Sequence, residues 1–452
     1  MNTSPFSIQN NRFLRRGTML FCAASLLIGC CGCGSKKSDE AVAVEIAPPD
    51  ITDTSADVVI ADSEVWPDEE YNSIDEADSA EIKALKSQLE TVANACQSIY
   101  AAADKGSALN AVLSTADQQA LISAIAELGY PAVDYYQTMD MQCAEPLKSF
   151  CESIYLGADG SATYYMVFTD GQISQYTLTL EDGAWHLITM SVRWSENKPV
   201  YYSQGRFAIG DVSYTQKGRL IYNRNFTDFD DNQKDNSDSW VFVKVTPTNA
   251  ELKALCERYI EPISYFENNL FITDWDSDYF NPVDFNSLYA YLFKLYTGTA
   301  VLTSTNVYSY YKPVGDTGMY IIPTETFEKV VQNWFDIDSS TLRSISDYSA
   351  ADGGYFFLGY RFDYYNVLPR TPEPEVTGYW YNEDGTLTIR CEAVNDWYGT
   401  DKAFTHDVTL RVNSDGSFKY LSNKVYTDEN SILPTNRLDT LRSAKLDEYL
   451  NP

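Results

Sequence analysis

The chain has 452 residues, of which 64 are acidic and 33 are basic, so its formal net charge is −31. This charge argues against a nucleic acid partner, because binding to phosphates depends on Lys and Arg, and it opposes direct contact between the polypeptide and an anionic bilayer. Apolar residues make up 44% and aromatic residues 14% of the chain, which is a composition that supports buried cores.

The N-terminus carries a basic segment followed by a short apolar run. Three arginines precede the run at residues 19–28, which ends in Leu27-Ile28-Gly29-Cys30. A run of this length falls far short of the roughly 20 residues that a membrane-spanning helix needs, and the order is that of an export signal. The last four residues resemble the lipobox of bacterial lipoproteins. That resemblance implies cleavage between Gly29 and Cys30 and attachment of lipid to the Cys30 thiol.

We therefore expect residues 1–29 to be a signal peptide and the mature protein to sit at the extracytoplasmic face of the cell membrane. Acyl chains on Cys30, such as palmitate, would hold it there, since each buried methylene contributes about 0.8 kcal/mol. Two other interpretations stay open, namely an ordinary secretory signal cut elsewhere and a transmembrane anchor.

Residues 30–78 are predicted to form an acidic, disordered tether. This segment is rich in Asp and Glu and contains only Lys36 and Lys37 as basic residues, so like charges repel and little can be buried. At about 150 residues per domain, the remainder predicts two or three domains. They are an N-terminal α+β domain at 79–227, a middle mixed region at 228–322 and a C-terminal α+β domain at 323–452.

The N-terminal domain is predicted to contain three helices followed by a run of strands. Apolar residues recur at three- and four-residue steps from Ile82 to Ile99, a second helix begins with Thr115 as its cap, and a third begins at Glu145. The period then changes to two. Strands are predicted at 163–169, 173–180, 185–194, 200–209 and 220–226. This order predicts a curved antiparallel meander sheet with helices on one face, similar to cystatin-like and NTF2-like domains.

A middle region with two helices follows, and the final third is predicted to repeat the order of helix and then sheet. Helices are predicted at 249–259, 284–295 and 324–335, the last with Thr324 as its cap. Strands are predicted at 240–245, 375–381, 386–393, 404–412 and 418–425. Both sheets contain a hairpin closed by Asp-Gly, at Asp182-Gly183 and Asp415-Gly416. Duplication and two unrelated hairpins both explain this similarity.

Three segments carry a resemblance to a known family. They are 269–275 (Asn-Leu-Phe-Ile-Thr-Asp-Trp), 322–328 (Ile-Pro-Thr-Glu-Thr-Phe-Glu) and the sheet from Asp384 to Val425. Over about residues 200–426, the chain resembles an uncharacterised family of clostridial surface lipoproteins with a domain of unknown function. The resemblance implies a Gram-positive surface location and carries over no catalytic residues.

Motifs for catalysis are absent from the sequence. It has no Gly-x-Ser-x-Gly, no His-Glu-x-x-His and no glycine-rich phosphate loop. The two histidines, His186 and His406, both fall in predicted strands, His186 on a solvated face and His406 partly buried. With 64 acidic residues, the presence of some suitably spaced carboxylate pair is no evidence for glycoside hydrolysis.

The most suggestive acidic cluster is Asp274, Asp276 and Asp278. Carboxylates at alternate positions resemble the opening of a calcium loop, but Tyr279 stands where such a loop needs Gly and Phe285 stands where it needs Glu. Calcium binding and a solvated acidic loop both remain open, and no other cofactor is implied.

Cysteines and aromatic residues supply the remaining candidates. The body cysteines form an odd, scattered set without a Cys-x-x-Cys pair, which predicts neither a zinc site nor a disulfide framework. A bond between Cys143 and Cys151 and free thiols are both possible. Tyr379, Trp380, Trp397 and Tyr398 are candidates for a platform that stacks on a sugar or a peptide, and core packing is the alternative.

These observations favour a non-enzymatic binding or scaffolding module at the cell envelope, whose partner is an envelope protein or a glycan. The alternative is a carboxylate-based hydrolase of cell-wall polymer, and a third option is a calcium-stabilised module. Strands in meanders argue against a transporter's substrate-binding lipoprotein, in which strands and helices alternate.

Overall fold

The computed structural model describes residues 80–106, 111–154, 158–225, 240–299, 311–358 and 371–450. The predicted signal peptide, Cys30 and the tether lie outside these residues. Helices and largely antiparallel sheets together confirm the predicted α+β class. Within the described ranges, no helix is both long enough and apolar enough to span a bilayer.

The first sheet contains seven strands that are neighbours in chain order. They are β1 (Ala132–Asp134), β2 (Gly160–Val167), β3 (Ile173–Glu181), β4 (Ala184–Ser195), β5 (Lys198–Tyr214), β6 (Arg219–Asn225) and β7 (Trp240–Lys244). The pairing of β1 with β2 is parallel and every later pairing is antiparallel. Asp182 and Gly183 adopt positive φ angles of 50° and 77° and close the β3–β4 hairpin, as the Asp-Gly pair predicts.

Helices cover both faces of this sheet, which corrects the prediction of helices on one face. On one face, α1 (Ala80–Ala102) and α2 (Thr115–Glu127) pack against Tyr165 and its neighbours. On the other face, α3 (Glu145–Ile154) packs in a separate core that contains Tyr164. Consecutive strand residues point to opposite faces, and both tyrosines are fully buried. The sheet is therefore the middle layer of the N-terminal half.

The rest of the chain forms two further sheets. The four-stranded sheet has the order β11-β12-β10-β9 and the five-stranded sheet has the order β13-β14-β15-β16-β8. The strands are β8 (Trp275–Asp276), β9 (Lys312–Val314), β10 (Met319–Pro323), β11 (Tyr348–Ser349), β12 (Gly354–Leu358), β13 (Glu373–Tyr381), β14 (Leu387–Val394), β15 (Thr405–Val412) and β16 (Phe418–Tyr426). The helices are α4 (Ala250–Leu255), which continues as a π-helical turn (Cys256–Ile260), α5 (Phe285–Thr297), α6 (Thr324–Trp334), α7 (Ser339–Ile345) and α8 (Arg437–Leu450).

One hydrophobic core joins the predicted middle region to the predicted C-terminal domain. Leu288 and Phe271 from the first range share this core with Phe327 and Leu410 from the second. The boundary predicted after residue 322 therefore falls inside one folded unit, because β8 completes the C-terminal sheet and β10 crosses the boundary.

Two predicted helix caps are corrected by their hydrogen bonds. Ser114, not Thr115, caps α2, because its Oγ accepts the backbone N–H of Asp117 at 3.1 Å. Thr324 does not cap α6. Its hydroxyl donates to the Gly353 carbonyl at 3.0 Å, which links the start of α6 to the start of β12.

A cleft between two strand edges

A cleft of about 1120 Å³ lies between the first sheet and β13. Its walls come from β7, the loop after β1, the start of β13 and the helical segment from α4 to Glu261. Among the described residues, β7 and β13 are each the terminal strand of a sheet. The charged lining residues are Asp140, Arg219, Arg224, Lys244, Lys253, Glu257, Glu261, Glu373, Glu375 and Asp396. The cleft is therefore bounded by two strand edges and has a strongly polar lining.

An ionic seam, formed by Lys217, Arg219, Glu375 and Glu392, joins the two sheets beside the cleft. Lys217 Nζ lies 3.2 Å from Glu375 Oε2 and 3.3 Å from Glu392 Oε2, and Arg219 also pairs with Glu375. None of the four side chains is more than 17% exposed. Because charges buried this deeply are costly unless they are paired, the seam fixes β6 against β13 and β14.

The seam and the cleft affect neighbouring carboxyl groups in opposite ways. Burial opposes ionisation of Glu375, but Arg219 and Lys217 outweigh it and hold the pKa of Glu375 below its usual value. Glu373, two residues earlier, reaches solvent through the cleft and forms no ion pair in the described ranges, although the Arg219 charge acts on it at longer range. Desolvation and the nearby Asp396 carboxylate raise the pKa of Glu373. Burial also lowers the pKa of Lys244 on the facing strand.

Charge in the cleft is unbalanced towards the negative. Lining cations are already engaged: Arg219 and Lys244 with Glu375, Lys253 with Glu257, and Arg224 against the Phe207 ring. Four lining carboxylates have no ion pair within the described ranges, namely Asp140, Glu261, Glu373 and Asp396. The cleft therefore presents negative charge to anything that enters it.

Two aromatic rings stand exposed at the mouth of the cleft. Tyr135 is stacked on Phe168 with a centroid distance of 4.2 Å, and Tyr136 meets Tyr135 edge to face at 5.2 Å. Tyr135 is 43% and Tyr136 is 70% exposed. Such rings offer apolar area and a hydroxyl together, which is a common feature of binding surfaces.

The aromatic residues predicted as a platform lie in two places. Trp380 and Tyr379 belong to the end of β13 that pairs with the start of β14, whereas Trp397 and Tyr398 follow the other end of β14. Tyr379 donates a hydrogen bond to Glu251, and Trp380 packs against the Arg390 guanidinium. At about 3.3 Å per residue, β14 extends about 17–20 Å from the residues that pair with Tyr379 and Trp380 to its end at Val394. The four side chains do not form one surface.

The predicted calcium ligands do not converge. Asp274 is ion-paired with Lys424 and accepts the Val425 N–H at 2.8 Å, and these contacts outweigh partial burial and lower the pKa of Asp274. Asp276 belongs to β8 and accepts the N–H of Asp278. In the part of the chain that the structure describes, no group of three or more acidic, His or Cys side chains is arranged to hold a metal ion.

His406 is fully buried rather than partly buried. Its Nδ1 lies 2.8 Å from the Asn423 amide oxygen and must donate to it, so Nε2 accepts from the Tyr265 hydroxyl at 3.0 Å. Burial lowers the pKa of His406 to about 4. A tyrosine, a histidine and an amide joined by hydrogen bonds resemble a catalytic array. Tyr265 and Asn423 are buried as well, however. The array is a core network closed to substrate.

The structure also shows the surroundings of His186 and of the cysteine pair considered above. His186, predicted on a solvated face, lies half-buried 3.8 Å from Glu81 at the start of α1. Cys143 and Cys151 are both free thiols, one exposed and the other buried. The candidate site residues that sequence reasoning missed are Tyr135, Tyr136 and the cleft carboxylates, because these converge only through pairings between distant strands.

The fold and the cleft define an α+β protein in which a rigid ionic seam joins two sheets beside an open, acidic cleft. A family model described as a family of unknown function (DUF6070) matches residues 82–438. The chain belongs to this family. No curated protein and no solved structure matches the chain. The clostridial origin and the lipid anchor stay predictions.

Proposed function

We propose that this protein is a lipid-anchored lipoprotein at the extracytoplasmic face of the cell membrane, and that its body is a binding module for an envelope protein or glycan. The cleft is the binding site. The observation that carries this proposal is the pair of exposed rings, Tyr135 and Tyr136, at the mouth of a concave site whose cations already contact groups of the protein itself.

The seam and the cleft differ in how their charged groups are used, and this difference supports binding rather than catalysis. The seam places its charges in fixed, mutually satisfied pairs, so it holds the geometry without offering a reactive group. The cleft offers accessible rings and carboxylates that a partner can contact. A concave site with a rigid frame and a few polar groups of one sign is well suited to recognition.

The anchor is supported by the residues around Cys30 and is tested by lipid labelling. Cells expressing the chain are fed an alkyne fatty acid, and the mature protein is analysed by mass spectrometry. The wild type and Cys33→Ala, the matched neighbouring cysteine, should carry lipid and pellet with membranes. Cys30→Ala should lose the lipid and leave the membrane fraction. A Cys30→Ala variant that stays lipidated or membrane-bound would contradict the anchor.

The cleft is tested by sedimentation with isolated cell-wall sacculi that retain their bound proteins. The detergent-solubilised full chain is compared with Tyr136→Ala and with Tyr381→Ala. Tyr381 is 71% exposed, which matches the 70% of Tyr136, but it does not line the cleft. We expect Tyr136→Ala to weaken retention by about tenfold, and Tyr381→Ala to leave it unchanged, since loss of one anchoring ring costs over 1 kcal/mol. Equal retention of both variants would contradict the proposal.

One observation favours a second candidate, a carboxylate-based hydrolase of cell-wall polymer. Glu373 and Glu375 occupy one cleft and have pKa values shifted in opposite directions, a pattern that separates a general acid from a carboxylate base. This candidate predicts release of soluble fragments from sacculi by the wild type and its loss in Glu373→Gln, with retention unchanged. Absence of released fragments would rule it out.

A further inference from the structure

The outer edge of β7 faces the cleft with its peptide groups. In an antiparallel pair, alternate residues of a terminal strand turn both their N–H and C=O groups away from the neighbouring strand. On β7 these residues are Trp240, Phe242 and Lys244, because the Phe242 carbonyl and the Lys244 N–H are both contacted from outside the sheet. Peptide groups of this kind are a template for another strand.

A single side chain occupies part of that edge. Gln137 Nε2 donates to the Phe242 carbonyl at 2.5 Å, and Gln137 Oε1 accepts the Lys244 N–H at 2.5 Å. A primary amide has the same donor and acceptor as a peptide group, so Gln137 takes the place that one residue of a paired strand would take. It reaches this place from a left-handed backbone conformation with a φ of 53°. The loop that carries it also presents Tyr135 and Tyr136.

The facing edge of β13 is closed in a different way. The Cys256 thiol, carried on the helical segment that follows α4, donates to the Pro374 carbonyl at 3.4 Å. A whole helix therefore lies over β13, whereas on β7 the Gln137 amide covers the later residues and the Trp240 ring packs against Gly399 at the start of the strand. Of the two edges at the cleft, β7 is the one that an incoming chain can pair with.

The charge of the cleft specifies what can occupy this edge. Asp140, Glu261, Glu373 and Asp396 have no ion pair among the described residues, while three of the lining cations, Arg219, Lys244 and Lys253, do. A ligand with positive side chains would neutralise these carboxylates, and the exposed tyrosine faces can hold cations as well. An acidic ligand would be repelled.

We infer that the cleft binds an extended basic peptide, which adds as a strand to the outer edge of β7 in place of the Gln137 amide. The inference rests on the proposed function, since it concerns the same cleft, and it names the class of partner. Main-chain hydrogen bonds to β7 provide the strand pairing, and the cleft carboxylates select a peptide with positively charged side chains.

The test uses fluorescently labelled acetyl-Lys-Val-Lys-Val-Lys-Val-Lys-amide and the detergent-solubilised full chain, followed by fluorescence anisotropy. A Glu-Val peptide of the same length controls for charge. Two N-methylated Lys-Val peptides control for pairing, one methylated on the Val nitrogens and one on the Lys nitrogens. Alternate N–H groups point to opposite edges of a strand, so each methylated peptide blocks one edge only.

We expect the Lys-Val peptide to bind and the Glu-Val peptide not to bind. One methylated peptide should bind at least tenfold more weakly than the parent, and the other should keep its affinity within a factor of about three. Gln137→Ala should bind the parent peptide about tenfold more tightly, because the ligand no longer displaces two hydrogen bonds. The matched control is Gln97→Ala, since Gln97 donates to the Asn197 carbonyl at 3.2 Å away from the cleft, and it should leave the affinity unchanged.

Three outcomes would overturn the inference: no binding of the Lys-Val peptide to the wild type or to Gln137→Ala, equal binding of all three Lys-Val peptides, or equal loss with both methylated peptides. The first excludes a basic peptide, the second leaves charge attraction alone, and the third excludes pairing at a single edge. The sedimentation of Tyr136→Ala with sacculi does not depend on these peptides, so failure here and failure of the proposed function remain distinguishable.

Discussion

Glu375 and Glu373 lie two residues apart on β13 but belong to two regions with opposite electrostatics. In the seam, Glu375 is buried among Lys217, Arg219 and Lys244. In the cleft, Glu373 is exposed, lies near the Asp396 carboxylate and forms no ion pair among the described residues. The seam completes its own charges and thereby holds two sheets together. The cleft leaves four carboxylates without ion pairs among the described residues, so a bound cationic group would be stabilised there.

The largest expected effect comes from breaking the seam. Glu375→Gln keeps the shape of the side chain but leaves Arg219 buried without its carboxylate and Lys217 with only Glu392. We expect the free energy of unfolding to fall by about 3–5 kcal/mol, as when one partner of a buried ion pair is removed. Urea denaturation followed by tryptophan fluorescence measures this. A loss under about 1 kcal/mol would mean that the seam does not hold the sheets together.

The next effect concerns His406. This side chain is buried in its neutral form, whereas Glu375 is buried as part of an ion pair. Its pKa is lowered to about 4 in the folded protein, so between about pH 6.5 and pH 4 the unfolded chain binds a proton that the folded one does not. Stability should therefore fall by roughly 3 kcal/mol as the pH decreases through this range. His406→Gln should remove this part of the pH dependence in urea titrations. An unchanged slope in the variant would contradict the buried neutral histidine.

The smallest expected effect is that of Glu373→Gln, and its sign is opposite to that of the seam variant. Because the folded pKa of Glu373 is raised, the folded protein holds its proton more tightly than the unfolded chain, so this group's contribution to stability falls as the pH rises above about 4.5. Near neutral pH the variant should be slightly more stable, by no more than about 0.5 kcal/mol given its exposure. Clear destabilisation by Glu373→Gln would place Glu373 in the seam.

Local signals in the sequence predicted most of the strands and helices. Alternating apolar residues and Asp-Gly turns predicted most strands of both large sheets to within a few residues, because these features act between near neighbours. They did not predict the short strands β1 and β8, and they ended β5 five residues early. Duplication and two unrelated hairpins are both still open explanations of the similar Asp-Gly hairpins. The C-terminal helix α8 had no such signal. Its main attachment is Arg442, only 3% exposed, which pairs with Asp284 and Asp347 far back in the chain.

The cleft could not be predicted from the sequence, because its residues are brought together by long-range pairing. Gln137 looks like an ordinary loop residue until β7 is placed beside it, about a hundred positions later. Trp380 and Trp397 looked like one platform because they are close in sequence, yet β14 extends between their positions. Spacing along the chain therefore predicted an aromatic surface at Trp380 and Trp397 that does not form, and it gave no sign of the exposed pair Tyr135 and Tyr136.

The most direct test of binding in the cleft is tyrosine footprinting on living cells and on purified protein. Intact cells and the detergent-solubilised full chain are treated with a membrane-impermeant tyrosine-modifying reagent, and modification at Tyr136 and Tyr381 is quantified by mass spectrometry. If a partner fills the cleft at the cell surface, Tyr136 will be protected on cells and reactive in the purified protein, while Tyr381 will react in both. Equal reactivity of Tyr136 in the two samples would contradict an occupied cleft.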